Sequence, residues 1–572
     1  MRYFHIRLLF SLLFFSTLQS FAQETYLPLD PEKYHLLDRM DILSGKKSEN
    51  SHSVMKPYYR PAVKEMTDSA LLNYKRVSKV DSSQIAFYEN DEWELYDEEK
   101  GDSRKPFLKY IYRKKASLAH HRSEHLKIIL NPVLNLSYGK QFTGKNEAVY
   151  LNTRGFEIKG SIDQKVGFYM MATDNQALFQ DFAQERVTQN GYPLPVVPGE
   201  GFAKYYKNGK AVDFISARGY ITFAATKHIQ LQVGHDKNFI GNGYRSLFLS
   251  DYAAPYSFVK INAKIWKLNY QVMYAEMNAG YVNGEPYNKK IFTTHHLNIA
   301  IRKNLTFGLF ESSLTGPRDS TQKDASWNLS TLNPVIFTRY IESYQGSYGN
   351  AFVGFDMKWN FARHFSFYGQ LLFDELVFQE VKKRSGWWGN KQAFQVGLKY
   401  IDALGIKNFD LQSEFNYVRP YTYAHANNYT SYTHYNQALA HPMGANFWEW
   451  IGIARLQPAK KVFLTGKLFY IRTGEDSSYT TNNVNNNQGS NIFKSYDPIA
   501  KANTYNNSTG QGIATNIMMV SLQVAYMIKH NLYLDLYVQL RTKESAIATR
   551  NLDTQYLGGG IRWNIASRLQ EY

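Results

Sequence analysis

From Leu126 onward the chain alternates hydrophobic and polar positions with a period of two. Phe409, Leu411, Phe415 and Tyr417 interleave with Asp410, Gln412, Glu414 and Asn416, the pattern of a strand with one apolar and one polar face. Phe156, Ile158 and Ile162 alternate in the same way with Glu157, Lys159 and Ser161, and Asp163-Gln164-Lys165 turns the chain into Val166, Phe168 and Met170. Short turns recur at Thr226 to His228, Trp266-Lys267, Arg302 to Asn304, Ala362 to His364, Asp402 to Lys407, Pro458 to Lys460 and Lys529 to Asn531, making eight. Eight hairpins, a first strand from Leu126 to Tyr138 and a last from about Thr554 to Ile565 predict about eighteen strands, within a range of sixteen to twenty.

Nine long connections lie between the turns: 139–149, 174–211, 237–256, 278–293, 314–349, 377–390, 419–446, 473–513 and 543–551. Long polar loops at one end and tight turns at the other are the mark of an outer-membrane barrel. The expected fold is therefore an all-β membrane protein, an antiparallel transmembrane β-barrel over residues 126–572, with both ends of the barrel in the periplasm. In the 174–211 loop, Asp174 is placed to cap a helix bearing Phe179, Phe182 and Ala183, and such a helix can fold inward and narrow the pore.

Upstream of Leu126 the pattern differs. Arg2 and Arg7 precede the apolar run Leu8 to Phe15, and Ser20-Phe21-Ala22 makes a small-x-small cleavage site, so residues 1–22 read as a signal peptide. Residues 23–125 read as a small, mainly helical periplasmic segment able to plug the barrel. Asp30-Pro31-Glu32 opens one helix that Gly45 ends, and a second runs from Pro61 to about Lys75 with Val63, Met66, Ala70 and Leu71 on one side. The acidic run Glu89 to Glu99 and the basic run Arg104 to Arg122 are expected to be solvated faces.

Composition sharpens this picture. Aromatics make up 16% of the 572 residues, with 44 Tyr and 36 Phe, which suits lipid-facing strands with aromatic girdles. No cysteine is present, so there is no thiolate metal site, disulfide or lipidated cysteine. The formal charge of +17 fits an anionic envelope surface, such as polysaccharide or lipopolysaccharide, better than nucleic acid in an exported chain.

Three constellations carry chemistry. The first, Gly241 to Asp251, is followed by another strand instead of a helix; it places Arg245 and Asp251 at the barrel mouth and does not make a phosphate loop. The second joins Arg339 and Glu342 to Asp374 and Glu375, carboxylates that can stiffen a wall by pairing with Lys or Arg, or hydrolyse a glycoside if suitably spaced. The third holds Arg419, Tyr421, Tyr423, Asn436, Gln437, His441, Asn446, Trp448 and Glu449, whose flat rings, amides, acid and guanidinium suit sugar recognition, although Trp448 and some of the tyrosines also fit the outer aromatic girdle. His425, His434 and His441 match no compact metal motif, and no nucleophile elbow occurs, so neither a metal, a cofactor nor an enzyme is expected.

Asn238 to Arg245 with Leu249-Ser250-Asp251, Gly369 to Glu375, Arg419-Pro420-Tyr421 and Asn436 to Asn446 resemble the Wzi-type capsule-assembly outer-membrane barrels, including their gliding-motility members. The resemblance implies an eighteen-stranded barrel with helices beneath it and a lectin-like, non-catalytic hold on surface polysaccharide. It also implies partners in the envelope: outer-membrane lipid and gliding-machinery or other envelope proteins. The charged N-terminal runs and the Asn-rich 473–513 loop depart from the capsule proteins and point equally to the motility-associated kind. A porin-like channel for small solutes or oligosaccharides is the alternative, should the lumen be open.

Overall fold

The computed structural model of the chain describes residues 24–45, 52–74, 77–96, 99–106, 110–144, 148–188, 194–207, 209–279, 288–316, 327, 331–338, 349–477, 487–497 and 503–572. Among these, eighteen strands close into one antiparallel barrel. They are β1 (Leu126–Gln141), β2 (Ala148–Ile162), β3 (Val166–Leu178), β4 (Ala211–Ala224), β5 (Ile229–Asp236) and β6 (Tyr256–Ile265). Next come β7 (Leu268–Asn278), β8 (Lys289–Arg302), β9 (Leu305–Thr315), β10 (Gly349–Phe361), β11 (Phe365–Glu375) and β12 (Lys391–Tyr400). The circuit ends with β13 (Phe409–Val418), β14 (Phe447–Ala459), β15 (Val462–Glu475), β16 (Ile513–Lys529), β17 (Leu532–Ser545) and β18 (Thr554–Trp563), which pairs back onto β1 from Trp563 opposite Leu134 to Tyr556 opposite Gln141.

The strand count and all eight turns match the periodicity. At Asp163-Gln164 and Ala362-Arg363 both central residues have positive φ, the type I′ geometry whose twist fits a two-stranded ribbon. On β13, Asp410, Gln412, Glu414 and Asn416 point inward and are buried, while Leu411, Phe415 and Tyr417 face out. The outward face is apolar and bare of protein: Leu534, Leu536 and Leu540 on β17 are 51, 51 and 49% exposed. Such a surface is stable only against lipid, and strands can cross lipid because closure leaves no unpaired edge.

The lumen is filled. Helices α1 (Pro31–Ser44), α2 (Arg60–Asn73) and α3 (Lys79–Asp91) pack together around Leu37, Met40, Val63, Met66, Ile85 and Tyr88 at the short-turn end of the barrel. Asp30 caps α1 through the Glu32 and Lys33 amides, and Gly45 closes it at φ 65°. α3, which the apolar spacing did not disclose, starts at a capping box between Ser78 and Asp81.

Buried charge joins this bundle to the wall. Arg39, 1% exposed, bonds Asp81 on α3 at 3.0 Å, Asp402 in the β12–β13 turn at 2.7 Å and Asp410 on β13 at 2.6 Å, and His35 adds a 2.9 Å contact to Asp410. Lys358 and Lys399 on β10 and β12 grip Asp38 at 3.1 and 2.5 Å. The first part of the acidic run is not solvated: Glu92 is fully buried against Arg60 of α2 at 2.7 Å, Glu94 pairs with Lys159 at 2.8 Å, and Asp91 bonds Asn531 at 2.9 Å, while Glu99 is exposed. These three carboxylates find partners within the plug and on the wall, which a surface face would not offer.

The plug also meets the loops. Met55–Lys56 forms a two-residue antiparallel ladder with Phe239–Ile240 of the β5–β6 connection, and Gly241 N donates to Val54 O at 2.8 Å. Elements entering from opposite ends therefore touch inside the lumen.

Two outcomes are expected. Arg39→Ala strands three buried carboxylates and weakens plug docking by about 3–5 kcal/mol, seen as new single-channel conductance in planar bilayers and faster proteolysis of residues 52–74. Burial alone would raise Asp38, but the Lys358 and Lys399 ammoniums outweigh it and hold that carboxyl well below the usual range. Its folded value lies below its unfolded one, so its contribution is complete above about pH 4 and is lost as the pH falls further. Conductance should stay closed at pH 5 and appear only in strong acid.

Candidate functional site: inward loops, lumen cavity and aromatic rim

The β5–β6 connection runs into the barrel. Leu247, Phe248 and Leu249 are fully buried, and Phe248 stacks on Phe310 of β9 with centroids 4.4 Å apart. Backbone donors that a loop would normally leave to water are met by the wall. Glu414 accepts from Tyr244 N at 2.6 Å and Arg245 N at 3.0 Å, and Gln370 accepts from Leu247 N at 2.8 Å. The β13–β14 connection folds in beside it, Tyr423 OH donating to Leu247 O at 2.8 Å.

Two of the sequence constellations converge on one carboxylate. Glu449 on β14 takes the His441 imidazole at 2.6 Å and the Arg245 guanidinium at 3.4 Å. Burial pulls His441 below the ordinary imidazole value, and Arg245 and Arg186 push it the same way while Glu449 opposes them. Arg245 also donates to the Glu571 carbonyl, from the tail that follows β18 and re-enters the lumen.

The 419–446 stretch, expected outside as a sugar contact, is largely interior. Tyr421 and Tyr423 are 1% exposed, and His441 and Asn446 are fully buried. Asn446 shares its amide hydrogens among Gly474 O, Gln511 O and Gln488 O at 2.9, 2.8 and 3.3 Å, while its oxygen accepts from Gly510 N at 2.7 Å. It cross-links the β15–β16 loop. Gln437 is buried and accepts from Gly199 N at 2.7 Å. In these five, packing and internal hydrogen bonds engage the groups through which the expected sugar contact would run. Asn436 is half-buried.

Asp374 and Glu375 share one cation, Lys391, at 3.0 and 3.4 Å, and Asp374 also accepts from Tyr423 N at 2.9 Å. That is the wall-stiffening arrangement. Arg339 and Glu342 lie outside the described residues. Asp174 pairs with Arg154 at 3.0 Å on the strands, and helix α4 (Asp181–Thr188) begins seven residues later, its Phe182, Ala183 and Val187 buried. His425, His434 and His441 are not gathered into one ligand set. His425 contacts Thr430 at 2.8 Å and His434 accepts from Asn278 N at 2.9 Å.

Beneath the inward loops is a cavity of about 330 Å³ whose lining includes Arg245 and Asp251. Glu200 is flanked there by Arg218 at 3.1 Å and Arg568 at 3.2 Å, while Lys237 donates to the backbone carbonyl of Asp251 at 2.8 Å. Burial would raise Glu200, but the two guanidiniums outweigh it and bring it to about 2.

The rim at the long-loop end carries a group the sequence reading passed over. Trp387 and Trp388 lie 5.8 Å apart, Trp388 sits 4.8 Å from Tyr496, and all three are half-buried. Arg419 holds this turn from below, its Nε donating to Asn390 O at 2.7 Å and Nη2 reaching Trp387 O at 3.5 Å. Lys391 stands 4.8 Å over the Tyr496 ring. Asn506 N and Asn507 N donate to Ser385 O and Gly386 O at 2.9 and 2.8 Å. Arg419, named from sequence as a sugar contact, here braces the Trp387–Trp388 turn. The available signal was Gly386-Trp387-Trp388-Gly389, paired indoles between glycines in a long connection.

Fold and site define a membrane barrel that is closed within and aromatic at one rim. No family model and no curated protein sequence matches the chain. Among solved structures it is similar to Wzi of Escherichia coli, a carbohydrate-binding β-barrel of the outer membrane involved in group 1 capsule assembly. That match has a TM-score of 0.57 and 13% identity over 96% of this chain and all of that one. OprD of Pseudomonas aeruginosa aligns less well, at TM-score 0.41 and 11% identity over 76% of this chain and 94% of that one. At such identities the likeness to Wzi is one of fold.

Asn446→Ala leaves buried carbonyls and an amide without partners, a loss of about 1–3 kcal/mol localised to the loops. Hydrogen exchange at residues 487–497 and 503–512 should accelerate, while β16 and β17 stay protected.

Proposed function

We propose that this chain is an outer-membrane protein whose long loops face outward and whose rim binds and organises surface polysaccharide without catalysis. The observation that carries the reading is the half-buried Trp387–Trp388–Tyr496 group, flanked by the Asn506-Asn507 segment at its edge. Aromatic faces take the apolar face of a sugar ring, and amides and cations take its hydroxyls and acidic groups. The fold shared with a carbohydrate-binding barrel supports it, as does a net charge of +17 at an anionic surface. Residues 1–22 serve in this reading as the export signal. The particular use proposed is attachment of capsule, or of exopolysaccharide in support of gliding motility, between which the charged N-terminal runs and the Asn-rich loop point equally.

A filled lumen favours binding over conduction, because a porin needs a continuous aqueous path. The test uses purified full-length protein and polysaccharide extracted from the producing cells. Trp387→Ala with Trp388→Ala should weaken binding at least tenfold, about 1.4 kcal/mol, with an unchanged unfolding midpoint. Retained affinity, or steady large conductance from intact protein, would refute the reading.

A further inference from the structure

A second cavity, about 270 Å³, lies between the plug and the wall strands β5, β6 and β7. It is separate from the aromatic rim and sits toward the opposite end of the barrel. Lys227 and His228, exposed in the β4–β5 turn, mark its mouth at the short-turn end.

The charge inside is unbalanced. Lys260 reaches into the cavity and Lys227 stands at its mouth, and Glu65 is the one carboxylate among its lining residues. Several buried cations elsewhere in the lumen meet acids directly, as Arg39 meets three, Lys358 meets Asp38 and Asp41, and Arg562 meets Asp535, whereas Lys290 donates to Ser431 O and Thr433 Oγ1 inside the packed loops, with no amide-lined cavity beside it among the described residues. Lys260 is 3% exposed yet makes no ion pair among the described residues. Its ammonium donates to Asn238 Oδ1 at 2.9 Å and stands 4.9 Å over the Tyr26 ring and 5.4 Å over Phe258. Asp236 acts on it only from beyond contact, and that carboxylate also faces Arg218 and Lys237. A buried ammonium with no carboxylate in contact is costly, and an anion in the adjoining cavity would offset that cost.

The remaining lining specifies more than an isolated anion. Gln230, Asn262, Asn269 and Gln271 present amides to the cavity. Asn269 is 7% exposed and its Oδ1 has no hydrogen-bond partner. Tyr26 and Tyr59, 5.6 Å apart, add aromatic faces beside the lysine. A cation, convergent amides and tyrosine rings around one space form a set suited to a polyhydroxylated anion.

We propose that this plug–wall cavity binds a small acidic saccharide, a sugar bearing a carboxylate or phosphate, with its anionic group at Lys260 and its hydroxyls on the amides around Asn269. Under the orientation proposed above, the mouth opens to the periplasm. The protein then holds acidic sugar at two places, at the outer rim and beneath the plug.

Isothermal titration of the full-length protein in detergent, with digalacturonate, a neutral disaccharide and inorganic phosphate as separate probes, tests this. Digalacturonate should bind at least tenfold more tightly than either of the others. Lys260→Met and Asn269→Leu should each weaken it at least tenfold, and added salt should weaken it further. Lys260→Met removes an uncompensated buried charge, so the unliganded variant should unfold at or above the wild-type temperature. Equal binding of phosphate or of the neutral disaccharide, or affinity unchanged in Lys260→Met, overturns the proposal. A marked fall in the unliganded Lys260→Met unfolding temperature also overturns it, since Lys260 would then be structural.

Discussion

One guanidinium holds the interior together. Arg39 leaves α1, crosses to α3 through Asp81, and reaches the wall through Asp402 and Asp410. Three carboxylates around one guanidinium leave an excess of negative charge, which backbone donors help to carry: Asp402 N reaches Asp410 at 3.0 Å and Asn408 N reaches Asp402 at 2.8 Å. Charges buried this deeply are tolerable only when every partner is present. The plug, the β12–β13 turn and β13 are therefore held as one unit.

That constraint follows from the solvent. Lipid takes the apolar face of every strand, so the polar face must turn inward, and the interior is assembled from what other proteins put outside. Apolar packing is displaced into the plug and the inward loops. The Leu247–Phe248–Leu249 segment and Tyr423, Tyr432 and Leu439 form a hydrophobic core inside a polar wall. Each inward loop needs its backbone amides satisfied, and Glu414, Gln370 and Asn446 do so. Polar residues that resemble a sugar site in one dimension are thereby spent on structure.

Under the proposed reading, recognition falls to the rim. The Trp387–Trp388 turn is held by Arg419 and by the Asn506-Asn507 backbone, so its rings are positioned before any ligand arrives. Arg419 was legible as a functional residue, but its role is indirect. Arg245 and His441, far apart along the chain, were each legible as polar loop residues, yet their meeting at Glu449 was not. The burial of Asp91, Glu92 and Glu94 was equally hidden, because an acidic run has the same composition whether water or Arg60 and Lys159 neutralise it.

The strand alternation, the eight turns and the closing strand could be read from the sequence because they are local: pleat and lipid impose a period of two, and a turn depends on a few adjacent residues. α3 was legible in principle from its Ser78–Asp81 box but not from its apolar spacing. Only the tertiary structure decided which long connections fold inward, which of their side chains are buried, and that Lys260 makes no ion pair among the described residues. Those outcomes depend on contacts across the lumen such as His35 to Asp410, 375 residues apart, and no local periodicity encodes them.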